Sequence, residues 1–442
     1  VAQALRVMHR YHAVARAMRA HPFEVLATAA VRDARNGPAF VSDLRARMPG
    51  VPIRVLSGIE EADMSAEGVL SGIPGADGLL ADIGGGSLEL VRIGDGQRGA
   101  SHTTRLGVIR LAERSGRDLG RARDIAEADL REVAWLGEGE GRELYLVGGA
   151  WRALARMHIL RRSYPLQMVH HYTIETEEAR RFAEVVIDAT RRELERMPGA
   201  PRRRLDDLPY AAVVLRRLLR ATGVRRVVFS ASGLREGWFM RLMPPDIRAQ
   251  DPLMAAAHAM AQRHGRDPAL PPALMGWTDP LFPHDTQAEQ RLREATCWMS
   301  DIGSHDHPEF RAEQAFQRIL RQPGIGLDHP TRAFLGLAIA TRYEAEADAP
   351  FMVSARSLLE PDAAARAEIL GSALRLAYTL SAGTQDILAG TALRIGGSRL
   401  ILTLHEDSGV FSGEAVTRRL ERLARLMHLE IASEATLLRA AQ

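Results

Sequence analysis

The chain has 442 residues, 46% hydrophobic and 26% charged, with a formal net charge of +3. That length supports about three domains with sizeable cores, and the composition excludes extended disorder and collagen-like or coiled-coil rods. All 58 basic residues are arginine, which excludes a lysine-bearing phosphate loop, Schiff-base catalysis and protein-kinase chemistry.

A helical pattern begins at once, with Leu5, Val7, Met8, Tyr11, Val14 and Met18 at near-helical spacing over residues 1–20. Because Val1 is not an initiator Met, the N-terminal part of a longer protein is expected to be missing. The segment 23–28 reads as a buried strand, Asn36-Gly37-Pro38 as a turn, 38–48 as a helix and 53–57 as a second strand. Strand–helix–strand suggests a parallel α/β layer. Residues 78–93 read as a β-hairpin around three glycines. Residues 143–158 and 224–240 each read as a strand, a small-residue turn and a helix. After Met243-Pro244-Pro245 long amphipathic segments dominate, at 251–264, 286–300, 310–321, 330–346, 362–381 and 414–429. The stretch 265–283, rich in Pro and Gly, reads as irregular, and 397–404 as a strand. No apolar run is long enough to span a membrane, and the first residues lack the features of a secretion signal. The single cysteine, Cys297, excludes an intramolecular disulfide and a zinc ribbon and fits a reducing compartment.

The strongest local feature is Asp82-Ile83-Gly84-Gly85-Gly86-Ser87-Leu88-Glu89. An apolar strand brings a carboxylate to a glycine turn whose N–H groups can approach an anion without Cβ atoms in the way. Ser87 adds a hydroxyl donor. Asp82 and Glu89 flank the turn and are placed to hold Mg²⁺ directly or through its waters. Glu60 and Glu61 start a helix after the strand at 53–57; beside a phosphate site a Glu can orient and deprotonate a water. Alone, the pair reads as helix N-terminal charge favoured by the macrodipole. Arg32 can fork onto a phosphate, although alone it reads as a solvated helix arginine. Gly148-Gly149 resembles the turn that actin-like folds place beneath a nucleoside, or else serves close helix–strand packing.

Together the segments 27–37, 56–63, 79–91, 145–155 and 230–238 (ATAAVRDARNG, LSGIEEAD, LLADIGGGSLELV, YLVGGAWRALA and SASGLREGW) resemble the exopolyphosphatase / guanosine pentaphosphate phosphohydrolase family in order and spacing. The resemblance implies an actin-like (ribonuclease H-like) two-domain α/β ATPase fold followed by a mostly helical HD-like C-terminal domain. It divides the chain into a remainder of domain I at 1–63, domain II at 64–243 and the helical domain at 244–442. It makes Glu61 the general base. Arg32, Gly84, Gly85, Gly86, Ser87, Gly148 and Gly149 become phosphate-binding, and Asp82 and Glu89 metal-binding through Mg²⁺ or Mn²⁺. Arg235 and Glu236 are assigned a structural role. The family's first Asp-x-Gly-Ser-Asn-Ser-type loop has no counterpart here. In the helical domain, Ser300-Asp301 stands where a His-Asp pair is expected and Ser381 where an Asp is expected. His305 and His307 alone are a weak metal motif.

The function implied is cytoplasmic hydrolysis of terminal phosphate from inorganic polyphosphate by a homodimer, without nucleic-acid partners. Guanosine pentaphosphate is the alternative substrate. A non-catalytic polyphosphate- or nucleotide-binding regulator is the alternative from another class, and a sugar or acetate kinase the least favoured reading. Arg263, Arg266, Arg318 and Arg321 are candidates for a basic polyanion channel.

Overall fold

A computed structural model describes residues 1–322, 326–405 and 413–436. The chain forms two compact units, Val1–Arg248 and Ala249–Gln442. In the first, helix α1 (Ala2–Ala17), strand β1 (Val25–Ala27), short helix α2 (Ala29–Arg32), α3 (Gly37–Arg47), β2 (Ile53–Val55) and α4 (Gly58–Gly72) come in order. β1 and β2 pair in parallel, around a small core of Leu5, Val25, Val41, Leu44, Met48 and Ile53. The division at 63/64 falls inside the continuous helix α4, so no linker lies there.

Next come β3 (Gly78–Ile83), β4 (Leu88–Gly94), β5 (Gln97–Thr104), α5 (Val108–Arg114), α6 (Leu119–Arg131), β6 (Glu143–Val147), α7 (Gly149–Arg161), β7 (Tyr172–Glu175), α8 (Thr176–Asp188), α9 (Arg191–Arg196), α10 (Leu208–Thr222), β8 (Arg226–Phe229), α11 (Leu234–Leu242) and α12 (Pro245–Arg248). Six strands make one sheet in the order β5-β4-β3-β6-β8-β7. β3, β4 and β5 form an antiparallel meander, and β6 and β8 add in parallel beside β3. The mixed α/β layer agrees with the fold class that the resemblance implied, and β7 pairs antiparallel with β8 at the sheet edge.

Side chains alternate across the sheet. Leu79, Ala81, Ile83, Leu88, Leu90, Leu144 and Leu146 enter the larger core, shared with helices α5 to α8 and α10. Leu80, Val91, Ile93, Tyr145, Val147 and Val228 pack on the other face against Ala62, Ala66, Val69 and Ile73 of α4. The same alternation puts Asp82 and Glu89, which are register partners, on the α4 face. Helix α11 lies so close to α4 that a Cβ on Gly237 would stand 1.8 Å from the Met64 carbonyl oxygen.

The second unit contains α13 (Pro252–His264), α14 (Leu270–Thr278), α15 (Gln287–Met299), α16 (Arg311–Leu320), α17 (His329–Arg342), α18 (Pro350–Arg356), α19 (Pro361–Ser381), α20 (Gln385–Ala389), β9 (Thr391–Gly396), β10 (Arg399–His405), α21 (Glu414–Leu426) and β11 (Glu430–Thr436). Two expectations are corrected here. The stretch read as irregular contains α14, whose prolines occupy its first turn, where an absent N–H costs nothing. The single strand read at 397–404 belongs to a three-stranded sheet, β11-β10-β9. Among the described residues no helix is long and apolar enough to cross a membrane.

Candidate active site

The two acidic residues at the start of α4 take different jobs. Ser57 is the N-cap, and Glu60 completes a capping box: its carboxylate accepts from the Ser57 N–H at 2.8 Å while the Glu60 N–H donates to Ser57 Oγ at 3.2 Å. The Ser57 N–H, and then its hydroxyl at 3.0 Å, hold the Glu60 carboxyl below its usual pKa range. Glu61, one residue on, turns inward and is 7% exposed. Its carboxylate pairs with the Arg32 guanidinium and accepts from the Ala29 N–H. Burial outweighs both and raises its pKa, and the negative charge of Asp82 pushes the same way.

Opposite Glu61 on the same face stand Asp82 and Glu89. Ser65, one helical turn after Glu61, donates its hydroxyl to Asp82 Oδ2. Burial raises the Asp82 pKa, while the Ser65 bond and the charge of Arg152 oppose the rise. Glu89 is 3% exposed, and its Oε1 has no hydrogen-bond partner among the described residues. Burial first, then Asp82, pushes its pKa up to about 8; Ser87 opposes this, Glu61 adds to it and Arg32 opposes it.

The glycine turn sits between β3 and β4, closed by the Gly84 N–H donating to the Ser87 carbonyl at 3.0 Å. The N–H groups of Val108, Ile109 and Arg110 at the start of α5 occupy the Gly84 and Gly85 carbonyls. The Gly85 and Gly86 N–H groups meet no protein acceptor among the described residues, which leaves them for an anion. Close approach explains Gly86: a Cβ there would lie 3.2 Å from that of Ala29, at the start of α2. Gly107 presses on the turn from the other side, its Cβ position 2.3 Å from the Ser87 nitrogen. Gly148 has φ +116°, and a Cβ there would meet the Ile83 carbonyl oxygen at 2.3 Å. Gly148 and Gly149 therefore stand at the end of β6, next to the end of β3.

The structure thus gathers Glu61, Asp82, Glu89, the glycine turn and the Gly148-Gly149 turn at one end of the sheet. Arg32 is placed against Glu61 and the Leu56 carbonyl (2.7 Å), with Asp33 3.3 Å from its Nε. Four contributors escaped the sequence reading. Ser65 had a signal, since it follows Glu61 by four residues on a helix. Arg110 pairs with Asp33 at 3.0 Å and has a guanidinium nitrogen 3.8 Å from the Gly86 Cβ position. Arg204 has a guanidinium nitrogen 2.4 Å from the Gly149 Cβ position. Arg152 donates to the Ala231 carbonyl at 3.0 Å, and its charge favours the ionised form of Asp82. Arg110 and Arg204 come from segments that only the fold brings to the site, whereas Arg152 follows Gly149 by three residues at the start of α7.

No three His, Cys, Asp or Glu converge as a cation cage among the described residues. Asp82 and Glu89 nevertheless fit Mg²⁺, which is commonly held by one or two carboxylates with waters and substrate phosphate completing its shell. The unpartnered oxygen of Glu89 is a donor atom that such an ion satisfies.

In the second unit the tempting groups are tied down. Arg266 grips Asp301 through Nε at 2.8 Å and Nη2 at 3.0 Å, and Arg342 approaches the same carboxylate at 3.5 Å. Arg318 binds the Ile302 carbonyl and Asp306. Arg266 and Arg318 are therefore spent on internal pairs. Ser300 and Ser381 are buried and hydrogen-bonded, Ser300 to Tyr378 and Ser381 to the Ala377 carbonyl. His307 accepts from the Glu309 N–H at 3.3 Å, and no third ligand joins His305 and His307 among the described residues.

Comparison with known proteins fits this picture. The profile of the Ppx/GppA phosphatase family matches residues 1–245, and that of the exopolyphosphatase C-terminal domain matches residues 253–432. Retrograde regulation protein 2 of Saccharomyces cerevisiae is 26% identical over 357 residues, which is 72% of this chain and 58% of that protein. Exopolyphosphatase 2 of Mycobacterium tuberculosis is 38% identical over 96 residues, 20% of this chain and 30% of that protein. The matches therefore span 58% and 30% of the length of these two relatives. A solved exopolyphosphatase from Cytophaga hutchinsonii is 20% identical with a TM-score of 0.48, over 54% of this chain and 80% of that one.

Proposed function

The chain belongs to the Ppx/GppA phosphatase family, and on that premise we propose that it hydrolyses the terminal phosphoanhydride bond of inorganic polyphosphate and releases orthophosphate. One observation carries the reading: Glu61 is buried and faces the Asp82–Glu89 pair beside a glycine turn with unused N–H donors. The Gly85 and Gly86 N–H groups and the Ser87 hydroxyl hold the terminal phosphate, and Arg110 and Arg204 contribute charge at its rim. Mg²⁺, or Mn²⁺ in its place, held by Asp82 and Glu89, supplies charge neutralisation at the phosphate oxygens.

Glu61 orients a water in line with the bond to be broken and accepts its proton. The raised pKa makes it a better base than an exposed carboxylate, as long as it remains ionised. The Arg32 guanidinium favours that state and partly offsets the effect of burial. When phosphate arrives, Arg32 can share its donors between Glu61 and a phosphate oxygen. The water adds to phosphorus, the bridging P–O bond breaks, and the shortened chain leaves as an anion. Positioning and charge neutralisation provide most of the acceleration.

The test is orthophosphate release by purified protein from polyphosphate and, separately, from guanosine pentaphosphate, with Mg²⁺, for the native chain and Glu61→Ala. Release from polyphosphate that disappears in the variant supports the proposal. Release from the pentaphosphate alone reassigns the substrate.

A second reading has a specific observation behind it. The relative aligned over most of this chain is named as a regulation protein, and Arg32 already occupies the Glu61 carboxylate. A regulator would bind the same polyanion without turning it over. Polyphosphate binding by both native chain and Glu61→Ala, with no release from either, selects it.

A further inference from the structure

Behind Asp82 lies the loop that follows β8, Ser230-Ala231-Ser232-Gly233, and it is held with unusual thoroughness for a connection. Ser230 Oγ donates to the Ser232 carbonyl at 2.8 Å and accepts from the Ser232 N–H at 3.1 Å. The loop is seated on the glycine face of α4. A Cβ on Gly68 would stand 2.1 Å from the Gly233 carbonyl oxygen, and one on Gly72 would stand 2.7 Å from Ser232 Oγ and 3.1 Å from His170 Cε1. In turn, a Cβ on Gly233 would be 4.0 Å from Asp82 Oδ2. The loop is therefore the wall against which the Asp82 carboxylate rests.

His170, buried just before β7, joins the two sides of this wall. Its Nε2 lies 3.1 Å from the Gly72 carbonyl, and its Nδ1 lies 3.3 Å from the Ala231 nitrogen. A carbonyl oxygen only accepts and a backbone N–H only donates, so the two partners select one tautomer, with hydrogen on Nε2 and a lone pair on Nδ1. The same Ala231 peptide presents its carbonyl to Arg152 Nη1 at 3.0 Å, and the charge of Arg152 opposes the rise of the Asp82 pKa. The chain of hydrogen bonds runs from Gly72 through His170 and Ala231 to Arg152, on the loop whose Gly233 borders Asp82.

We propose that His170 is a positioning residue for this site: it fixes the Ala231 peptide, and so the loop that borders Asp82 and the Arg152 guanidinium held on that loop's carbonyl. The proposal rests on the reading of Asp82 as part of a Mg²⁺–phosphate site. His170 touches neither reacting atoms nor the proposed metal. What it controls is where one positive charge stands beside the carboxylate, and a small displacement of such a charge is enough to lower turnover substantially.

The experiment uses the full chain with His170→Phe, which removes both bonds, His170→Gln, which keeps a donor for Gly72, Arg152→Gln, and the Phe–Gln double variant. Mg²⁺ affinity is read by titration calorimetry with the metal alone, and the Arg152 Nε–H resonance is assigned by its loss in Arg152→Gln. The expected result is a shifted Arg152 resonance in His170→Phe. The two single variants then change Mg²⁺ affinity in the same direction, and the double variant goes no further than the larger single, because both act through one contact. His170→Gln falls between native and Phe. With polyphosphate, kcat falls about tenfold or more while KM changes little.

An unshifted Arg152 resonance, or single effects that multiply in the double variant, overturns the proposal. If His170→Phe fails to fold, His170→Gln carries the same resonance test. If the native chain binds no Mg²⁺, the metal reading fails on its own, and the resonance still decides whether His170 positions Arg152.

Discussion

Each unit buries a carboxylate, and the two are treated in opposite ways. Asp301 in the second unit is 6% exposed and enclosed by cations: Arg266 forks onto it, and Arg342 reaches it while stacked 4.0 Å from the Tyr343 ring centre and 3.8 Å from that of Tyr378. Glu89 in the first unit is 3% exposed, faces Asp82 and Glu61, and leaves Oε1 without a partner. Burying charge is costly unless it is paired. A fold that pairs one carboxylate completely and leaves another next to more negative charge has two uses for them. The Asp301 pairing is internal and complete, whereas the Glu89 arrangement leaves an oxygen that a bound cation would satisfy. That difference supports the proposal that the chemistry lies in the first unit.

The sharpest way to break the comparison is at Glu61. Glu61→Ala should lower kcat by about two to four orders of magnitude, the range for losing a general base, with the circular dichroism spectrum unchanged. Retained turnover would remove the first unit's claim to the chemistry. The complementary test removes the cation from the other carboxylate. Arg342→Ala leaves Asp301 with Arg266 alone and empties the space between two aromatic rings. Losing this charged contact while Arg266 remains should cost about 1.5–3 kcal/mol, read as an early transition of the second unit in chemical denaturation. A loss below about 1 kcal/mol, the value of an exposed pair, would show that Asp301 is not held in the way described.

Much of this contrast was legible before the fold, and some was not, for identifiable reasons. The Asp82–Glu89 hairpin announced itself because an apolar strand, three glycines and a second apolar strand leave few alternatives. Glu60 and Glu61 could have been separated as well: Ser57-Gly58-Ile59-Glu60 has the S-x-x-E spacing of a capping box, which commits Glu60 and leaves Glu61 to turn inward. Helix α14 was hidden because Pro271 and Pro272 read as breakers, although at a helix start they are tolerated. Helix α21 was read as running to 429; it ends at Leu426, and His428 adopts φ +56° before β11 begins. Arg110 and Arg204 were out of reach, because no local pattern distinguishes them among so many arginines, whereas Arg152, three residues after Gly149 in the segment 145–155, was legible. Arg266 and Arg318 illustrate the reverse. A cation in a list of candidates says nothing about the carboxylate that already holds it.

The Glu89 arrangement should also show in the response of stability to pH. Glu89 has a folded pKa near 8 against an ordinary value of 4.5. Between those values the folded state keeps a proton that the unfolded state has lost, so stability falls as pH rises through that window. Asp82 and Glu61 are shifted the same way and add to the slope. Glu89→Gln should therefore flatten the decline in urea-denaturation free energy between pH 5 and pH 8, and saturating Mg²⁺ should flatten it in the native chain by stabilising the ionised form. A decline that is equally steep in Glu89→Gln would mean that this carboxylate is already compensated, and the contrast with Asp301 would disappear.

The smallest effect is the most discriminating for the acidic pair. Glu60→Ala removes one half of the capping box on α4 and should cost about 1 kcal/mol or less, visible as a small drop in melting temperature. Glu60 is exposed and turned toward Ser57 and Arg54, 2.8 and 3.0 Å away, so turnover under saturating substrate should stay close to native. Its neighbour one position later, on the same helical turn, should behave in the opposite way, with little stability lost and nearly all turnover gone. If both variants lose activity alike, the start of α4 acts as one charged unit rather than as a cap beside a base, and the inward turn of Glu61 no longer explains which carboxylate meets the water.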